Sequence, residues 1–412
     1  MINKRGSVGC FRLFFVLKEK RSQMDKIHFS DRVNQFQPGI FAVLNEKKEE
    51  LIRQGKKVYN LSVGTPDFAP APHVMEAMQK ACRDPENYKY ALTDLPQLLE
   101  AVCYRYHRRF GVEVKPEEIT AVYGTQEGMA HIGMVLCNPG DTVLVPDPGY
   151  PLFEMSGIMA GAKVETYPIK EENGYLPQLS EIPEDVRLRA KYMIVSYPLN
   201  PVCVCAPDDF YRELITFARE NEIVIIHDNA YSDIIFTEKQ GKSFLAFEGA
   251  KEVGVEFYSL SKSYNLTGAR ISFLVGNRQI VDKVKIFRSQ IDYGIFLPVQ
   301  YAAIAALTGP DDFIETQRQE YERRNRTLCQ GLRDLGWNVP DSRGTMFVWA
   351  KIPSGYASSL DFTMTLMEKA GVIVTPGSAF GKGGEGYVRM ALVADLETIN
   401  EMLEVLGKAE IF

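Results

Sequence analysis

Positive charge is in short supply in this 412-residue sequence: 47 lysines and arginines face 53 aspartates and glutamates, for a formal net charge of -6. No basic block offsets that balance, which excludes a nucleic acid or an anionic membrane surface as partner. Cysteine is scarce too, seven residues scattered rather than spaced as a framework. Cys82, Cys103, Cys137, Cys203 and Cys329 fall in stretches that read as helix or buried loop, so free thiols in a reducing cytoplasm are expected. Cys203 and Cys205 stand too close together and too isolated for a metal site; no metal is expected, and both read as packed thiols. Long apolar runs are also missing. The run from Cys10 to Leu17 is broken by Arg12, is far too short for a bilayer, and is followed by no small-residue cleavage site. Residues 1–23 therefore read as a disordered tail, or as an upstream start before a natural Met24. With no membrane segment, the expected location is cytoplasmic.

What is present suits a soluble globular protein with a large core: 45% hydrophobic and 24% charged residues, in a chain long enough for two domains sharing an interface. From about 71 to 300, short β-branched runs alternate with helical patterns. The runs are Ile119–Tyr123, Thr142–Pro146, Lys163–Pro168, Tyr192–Tyr197, Ile223–His227, Glu256–Ser259 and Ile271–Val275. Nearly continuous apolar strands separated by helices predict an α/β domain, with a seven-stranded, mainly parallel sheet sandwiched by helices. After residue 300 comes a long charged helix, Asp311–Leu335, then strands at Gly344–Lys351 and Gly386–Leu392. This second pattern predicts a smaller α+β domain at 301–412, with residues 24–70 as its N-terminal part.

Ligands of open α/β sheets bind beyond the carboxyl ends of the strands. Polar and aromatic residues gather there: Thr125 and Gln126, Tyr150, Asn200, Asp228 and Tyr231, then Ser259, Ser261, Lys262 and Arg270. A lysine forced into a desolvated, cation-lined site has a lowered pKa and becomes a Schiff-base nucleophile, although most lysines are simply solvated. Ser259, Ser261 and Arg270 offer hydroxyls and a forked cation suited to a phosphate monoester, and a helix start at Thr125 would add backbone N–H groups. Asp228 ends an apolar run. It can serve as an ordinary cap, or it can keep a pyridine ring nitrogen protonated.

The stretch Ser259-Leu260-Ser261-Lys262-Ser263-Tyr264-Asn265-Leu266-Thr267-Gly268-Ala269-Arg270, with Asp228-Asn229-Ala230-Tyr231 and Asn200-Pro201 upstream, resembles fold-type I pyridoxal-5'-phosphate (PLP) enzymes of the class I/II aminotransferase group. The likeness covers nearly the whole chain from Met24. It implies that Lys262 carries the Schiff base and that Arg270, Ser259, Ser261, Thr125 and Gln126 hold the phosphate. It further implies that Asp228 pairs the pyridine nitrogen, that Tyr231 and Asn200 hold the ring's phenolic oxygen, and that Tyr150 stacks on the ring. Tyr387-Val388-Arg389 resembles the strand whose arginine grips the substrate α-carboxylate, and Gly64 matches the loop whose backbone approaches the same group. Tyr90 resembles the tyrosine that reaches a neighbouring subunit's cofactor, which implies a homodimer; Tyr88 is the alternative.

Within the group, Val145–Pro151, Ile291–Phe296 and Thr375–Ser378 look most like LL-diaminopimelate aminotransferases and their bacterial relatives. Gln126 and Tyr293 depart from that pattern, where those enzymes usually place lysine and serine. The implied reaction moves an amino group between an L-amino acid, with glutamate as the expected donor, and a 2-oxo acid. Two alternatives remain at this stage. A PLP-dependent carbon–sulfur β-lyase would share Lys262, Asp228 and Arg389. A non-enzymatic regulator reusing the fold would need a helix-turn-helix extension or a basic face, and neither is present.

Overall fold

The computed structural model describes residues 27–36, 40–237 and 241–412. The expectation for residues 1–23 lies outside them. The chain separates into Met1–Gln37 and Pro38–Phe412. In the first unit the described part holds one short 3-10 turn, Val33–Gln35. The second unit contains everything that follows.

All seven apolar runs become strands of one sheet: β1 (Ile119–Val122), β2 (Thr142–Asp147), β3 (Lys163–Pro168), β4 (Ala190–Val195), β5 (Val224–Asn229), β6 (Gly254–Ser259) and β7 (Ser272–Gly276). Their order is β1-β7-β6-β5-β4-β2-β3. Only β7 runs against its neighbours; every other pairing is parallel. β1, β6 and β7 are buried along their whole length, as strands covered on both faces must be. β3, at the edge, carries the charge and exposure that discourage further pairing.

Register decides what meets at the rim. Val122 pairs with Ser272, and Ser272 pairs with Ser259. The carboxyl ends of β1 and β6 therefore flank the start of β7, bringing together three loops far apart in sequence. Helix α1 (Thr125–Leu136) leaves β1 through Gly124, whose φ of +80° suits glycine alone. A four-residue helix, α2 (Leu260–Ser263), leaves β6, with the Ser259 hydroxyl accepting from the Ser261 N–H.

The C-terminal third supplies the 23-residue helix α3 (Asp312–Asp334) and an antiparallel sheet of β8 (Phe347–Lys351), β9 (Thr375–Pro376) and β10 (Tyr387–Ala391), in the order β9-β10-β8. The outer face of α3 is laced with ion pairs at helical spacing, such as Glu315–Arg318 and Arg318–Glu322. β8 starts later than the sequence pattern predicts because Thr345, at φ +72°, is not in strand conformation. Tyr59–Asn60 pairs in parallel with Val372–Ile373, and Ala391 N donates to Leu61 O at 2.7 Å. The stretch Tyr59–Leu61 is thus woven into the C-terminal strands. Among the described residues no helix is long and apolar enough to cross a membrane, and none of the six described cysteines forms a disulfide.

Candidate active site

A cavity of about 500 Å³ opens at the carboxyl rim of the sheet. Gly64, Thr125, Gln126, Tyr150, Asn200, Asp228, Tyr231, Ser259, Ser261, Lys262, Arg270 and Arg389 all line it. Of the residues expected from the sequence, Tyr90 alone stands outside. It is 77% exposed, with its ring 5.0 Å from that of Tyr293. Tyr88, the alternative, is likewise exposed and packs on Phe296.

Lys262 projects from α2 into the cavity, and its Nζ donates to Gly64 O at 2.5 Å. Burial, followed by the nearby charges of Arg389 and Arg270, lowers its pKa to about 8. Asp228 lies in β5 at the base of the cavity, 7% exposed, and its Oδ1 has no hydrogen-bond partner. Burial first, and the charge of Glu256 second, raise its carboxyl to about 7. Glu256 sits one strand over, fully buried. It accepts from Tyr106, Ser243 and the Phe244 N–H, with His227 Nδ1 2.9 Å away. An unpartnered buried carboxylate oxygen is costly, and a cationic N–H donor would offset that cost.

One end of the cavity suits an anion. Arg270 is exposed along the wall, at φ +54°, with Nη1 donating to Thr267 O at 2.9 Å. A Cβ added at Gly124 would stand 2.4 Å from Arg270 Nη2, so the guanidinium lies directly against the entry to α1. Thr125, at the first turn of that helix, donates through Oγ1 to Ser272 Oγ at 3.3 Å. Helix N–H groups, hydroxyls and a guanidinium thus converge on one place, as a phosphate monoester requires.

The other end suits a carboxylate. Arg389, on β10, is buried and pairs with no carboxylate among the described residues. Its Nη1 donates to Asn200 Oδ1 at 2.8 Å and its Nη2 to Ser62 O at 2.9 Å, while Nε has no partner. Burial lowers its pKa to about 10, which leaves it charged at neutral pH. The guanidinium lies 4.1 Å from the centre of the Phe347 ring and 4.7 Å from that of Phe380.

Sequence reasoning missed Phe347. It sits on β8, where Ala391 is its partner and Arg389 its diagonal neighbour across the ladder. Finding it would have required the β8–β10 register. Ser196, also missed, donates from Oγ to the Asp228 carbonyl at 2.9 Å. One trio of potential metal ligands, Glu127, His131 and Asp292, occurs among the described residues. Both Asp292 oxygens are already held by Arg288, at 3.0 and 3.2 Å.

The family described as aminotransferase class I and II matches residues 56–406. An LL-diaminopimelate aminotransferase of Halothermothrix orenii is 40% identical over 93% of this chain and 98% of its own length. Another of that name from Aquifex aeolicus is 40% identical, covering 91% and 97%. Among solved structures, substrate-bound BacF from Bacillus subtilis superposes with a TM-score of 0.89 at 36% identity, covering 93% of this chain and 98% of its own. A probable N-succinyldiaminopimelate aminotransferase from Thermus thermophilus gives 0.85 at 33%, covering 90% and 100%. The chain belongs to the class I and II aminotransferases and is a pyridoxal-5'-phosphate-dependent enzyme that moves amino groups between amino acids and 2-oxo acids.

Proposed function

We propose that the protein takes LL-diaminopimelate or a similar dicarboxylic L-amino acid as substrate, exchanges its amino group with a glutamate/2-oxo-acid pair, and works as a cytoplasmic homodimer. The observation that carries this reading is Arg389, a buried fork with no carboxylate of its own, in the same cavity as Lys262 and Asp228. A planar guanidinium matches an α-carboxylate bidentately. Gly64, whose backbone the resemblance assigns to the same group, lines the same cavity.

Bound PLP supplies an aldehyde carbon and an electron-withdrawing ring. Asp228 would offer its unpartnered Oδ1 to the ring N–H, and Arg270, Ser259, Ser261, Thr125 and Gln126 would hold the phosphate. Tyr231, whose burial keeps its hydroxyl protonated, would donate to the ring's phenolic oxygen. Asn200 spends its amide oxygen on Arg389, which leaves its NH2 group for the same ring oxygen. Tyr150, which lines the cavity, would cover the ring face. Lys262 would be the Schiff-base lysine, and its Nζ, with a pKa lowered to about 8, would serve as the base and acid that carries the substrate's Cα proton.

Tyr90 in this reading serves the partner subunit's cofactor, and its exposure beside Tyr293 supports a dimer face there. The pairing of Tyr59–Asn60 with Val372–Ile373 supports grouping 24–70 with 301–412 as a smaller domain beside 71–300. The test is a panel of amino acids mixed with the holoenzyme and scored by conversion of the cofactor's aldehyde absorbance to that of its amine form. LL-diaminopimelate and glutamate should convert it fastest. Conversion by aromatic or aliphatic amino acids alone would remove the substrate assignment. Release of pyruvate and ammonia without an oxo-acid acceptor would point to the lyase.

A further inference from the structure

Helix α3 has a buried face that the chemistry above leaves unexplained. Gln317, Tyr321 and Arg324 are spaced i, i+4, i+7, so their side chains stack along one side of the helix. They are 3%, 0% and 3% exposed. Polar groups at that depth need partners, and those of Gln317 and Arg324 belong to the segments that surround the reacting atoms.

Gln317 Nε2 donates to the main-chain carbonyl of Lys262 at 2.8 Å. That carbonyl sits in α2, which is too short to satisfy it internally, because the N–H of Leu266 turns back to Leu260 instead. A carbonyl at such a helix end requires an outside donor. The same amide's Oε1 accepts from Asn265 Nδ2 at 2.7 Å, and Asn265 Nδ2 also reaches Ala69 O at 3.3 Å. Farther along the helix, Arg324 forks onto Asp67 at 2.8 and 2.9 Å and donates to Leu392 O at 3.0 Å. Phe68 packs edge-on against Tyr321, with ring centres 5.3 Å apart.

Three segments are therefore braced by one rigid face. They are the main chain of Lys262, the loop from Gly64 to Ala69, and the chain just past Arg389. Proton transfer needs these parts in register, because Lys262 must reach Cα while Gly64 and Arg389 hold the carboxylate. On the reading of Lys262 as the proton carrier, we propose that Gln317 is a positioning residue for that transfer, fixing the Lys262 main chain to the carboxylate-binding loop through α3. A misplacement of about 1 Å can cost roughly 10²-fold in rate.

The test compares Gln317→Met, which keeps the shape and removes both hydrogen bonds, with wild-type holoenzyme. In the variant kcat should fall at least about tenfold, KM for the amino donor should stay within about twofold, and the isotope effect with Cα-deuterated substrate should rise. In cofactor-free protein, hydrogen exchange should accelerate in residues 260–266 and 64–69 and stay unchanged in the sheet strands. An unaltered kcat with full cofactor occupancy would overturn the proposal. So would a fall in kcat with an unchanged isotope effect and faster exchange throughout the chain, which is general destabilisation. Gln317→Glu is the second variant if the first does not fold. It keeps the acceptor for Asn265 and can donate to Lys262 O only when protonated, so its deficit relative to wild type should deepen as pH rises; a constant deficit counts against the idea. Failure of the parent reading registers separately, as turnover retained by Lys262→Ala.

Discussion

The Lys262 amine and the Gly64 carbonyl, 198 positions apart in sequence, are joined by a 2.5 Å hydrogen bond. The bond ties the reactive amine to the loop facing Arg389. It also places Gly64 hard against Phe347, where an added Cβ would meet the ring at 2.3 Å. That ring in turn carries the Arg389 guanidinium.

Replacing Gly64 with alanine should therefore push on the Phe347 ring and, through it, on the carboxylate fork. The expected result is a rise in KM for amino donors of about tenfold or more, with cofactor absorbance and occupancy unchanged. Steady-state kinetics beside a cofactor titration checks this. Weakened cofactor binding with unchanged KM would place Gly64 on the other side of the site.

The depressed pKa of Lys262 has a signature in stability. The folded amine releases its proton near pH 8, the unfolded one near 10.5. Between those values the unfolded chain holds the extra proton, so this group makes the cofactor-free fold more stable as pH rises. Urea unfolding of cofactor-free wild type and Lys262→Met from pH 7.5 to 10 should show a steeper rise for wild type. Parallel pH profiles would mean that the amine is not buried as described.

Asp228 runs the other way. Its carboxyl titrates near 7 when folded and near 3.8 when unfolded, so cofactor-free protein loses stability from this group as pH climbs through that window. Asp228→Asn abolishes the titration. The variant should be the more stable cofactor-free protein at pH 7.5, by on the order of a few kcal/mol, and the difference should vanish toward pH 4. It should also bind PLP more weakly, having exchanged a charged acceptor for a neutral amide. Equal stability at both pH values would show that Asp228 is already relieved by a partner.

These residues were legible in the sequence for a reason. Asp228 and Lys262 sit at or just past the carboxyl ends of apolar runs, and in a parallel sheet that position alone aims a side chain at the ligand crevice. The same logic placed Thr125 and Asn200. Arg389 was readable through the likeness of Tyr387-Val388-Arg389 to the family's carboxylate-gripping strand, and the apolar residues after it make a solvated arginine unfavourable. What stayed hidden depends on register between distant segments. Phe347 meets Arg389 only through the β8–β10 ladder, and Gln317 meets Lys262 only through a hydrogen bond between α3 and α2, 55 positions apart in sequence. Nothing in a helix of alternating charge distinguishes its buried amides, Gln317 and Asn325, from their solvated neighbours. The engagement of Asn200 with Arg389 was likewise invisible, since both are reasonable residues for other partners.

Tyr90 tests the assembly. It is exposed, it lies outside its own chain's cavity, and the aromatic rings of Tyr88, Tyr293 and Phe296 are exposed with it. Several large apolar side chains left in water are unusual unless another surface covers them. If a second copy does so, the Tyr90 hydroxyl becomes one more donor to the partner's cofactor phosphate, and losing it costs a charge-assisted hydrogen bond, about 1.5–3 kcal/mol. Tyr90→Phe should then weaken PLP binding by about tenfold or more while the dimer persists in sedimentation. Tyr293→Asp should split the dimer and weaken PLP binding even though its own chain's cavity is intact. A monomeric wild type that binds the cofactor tightly, with Tyr90→Phe indistinguishable from it, would remove Tyr90 from the site altogether.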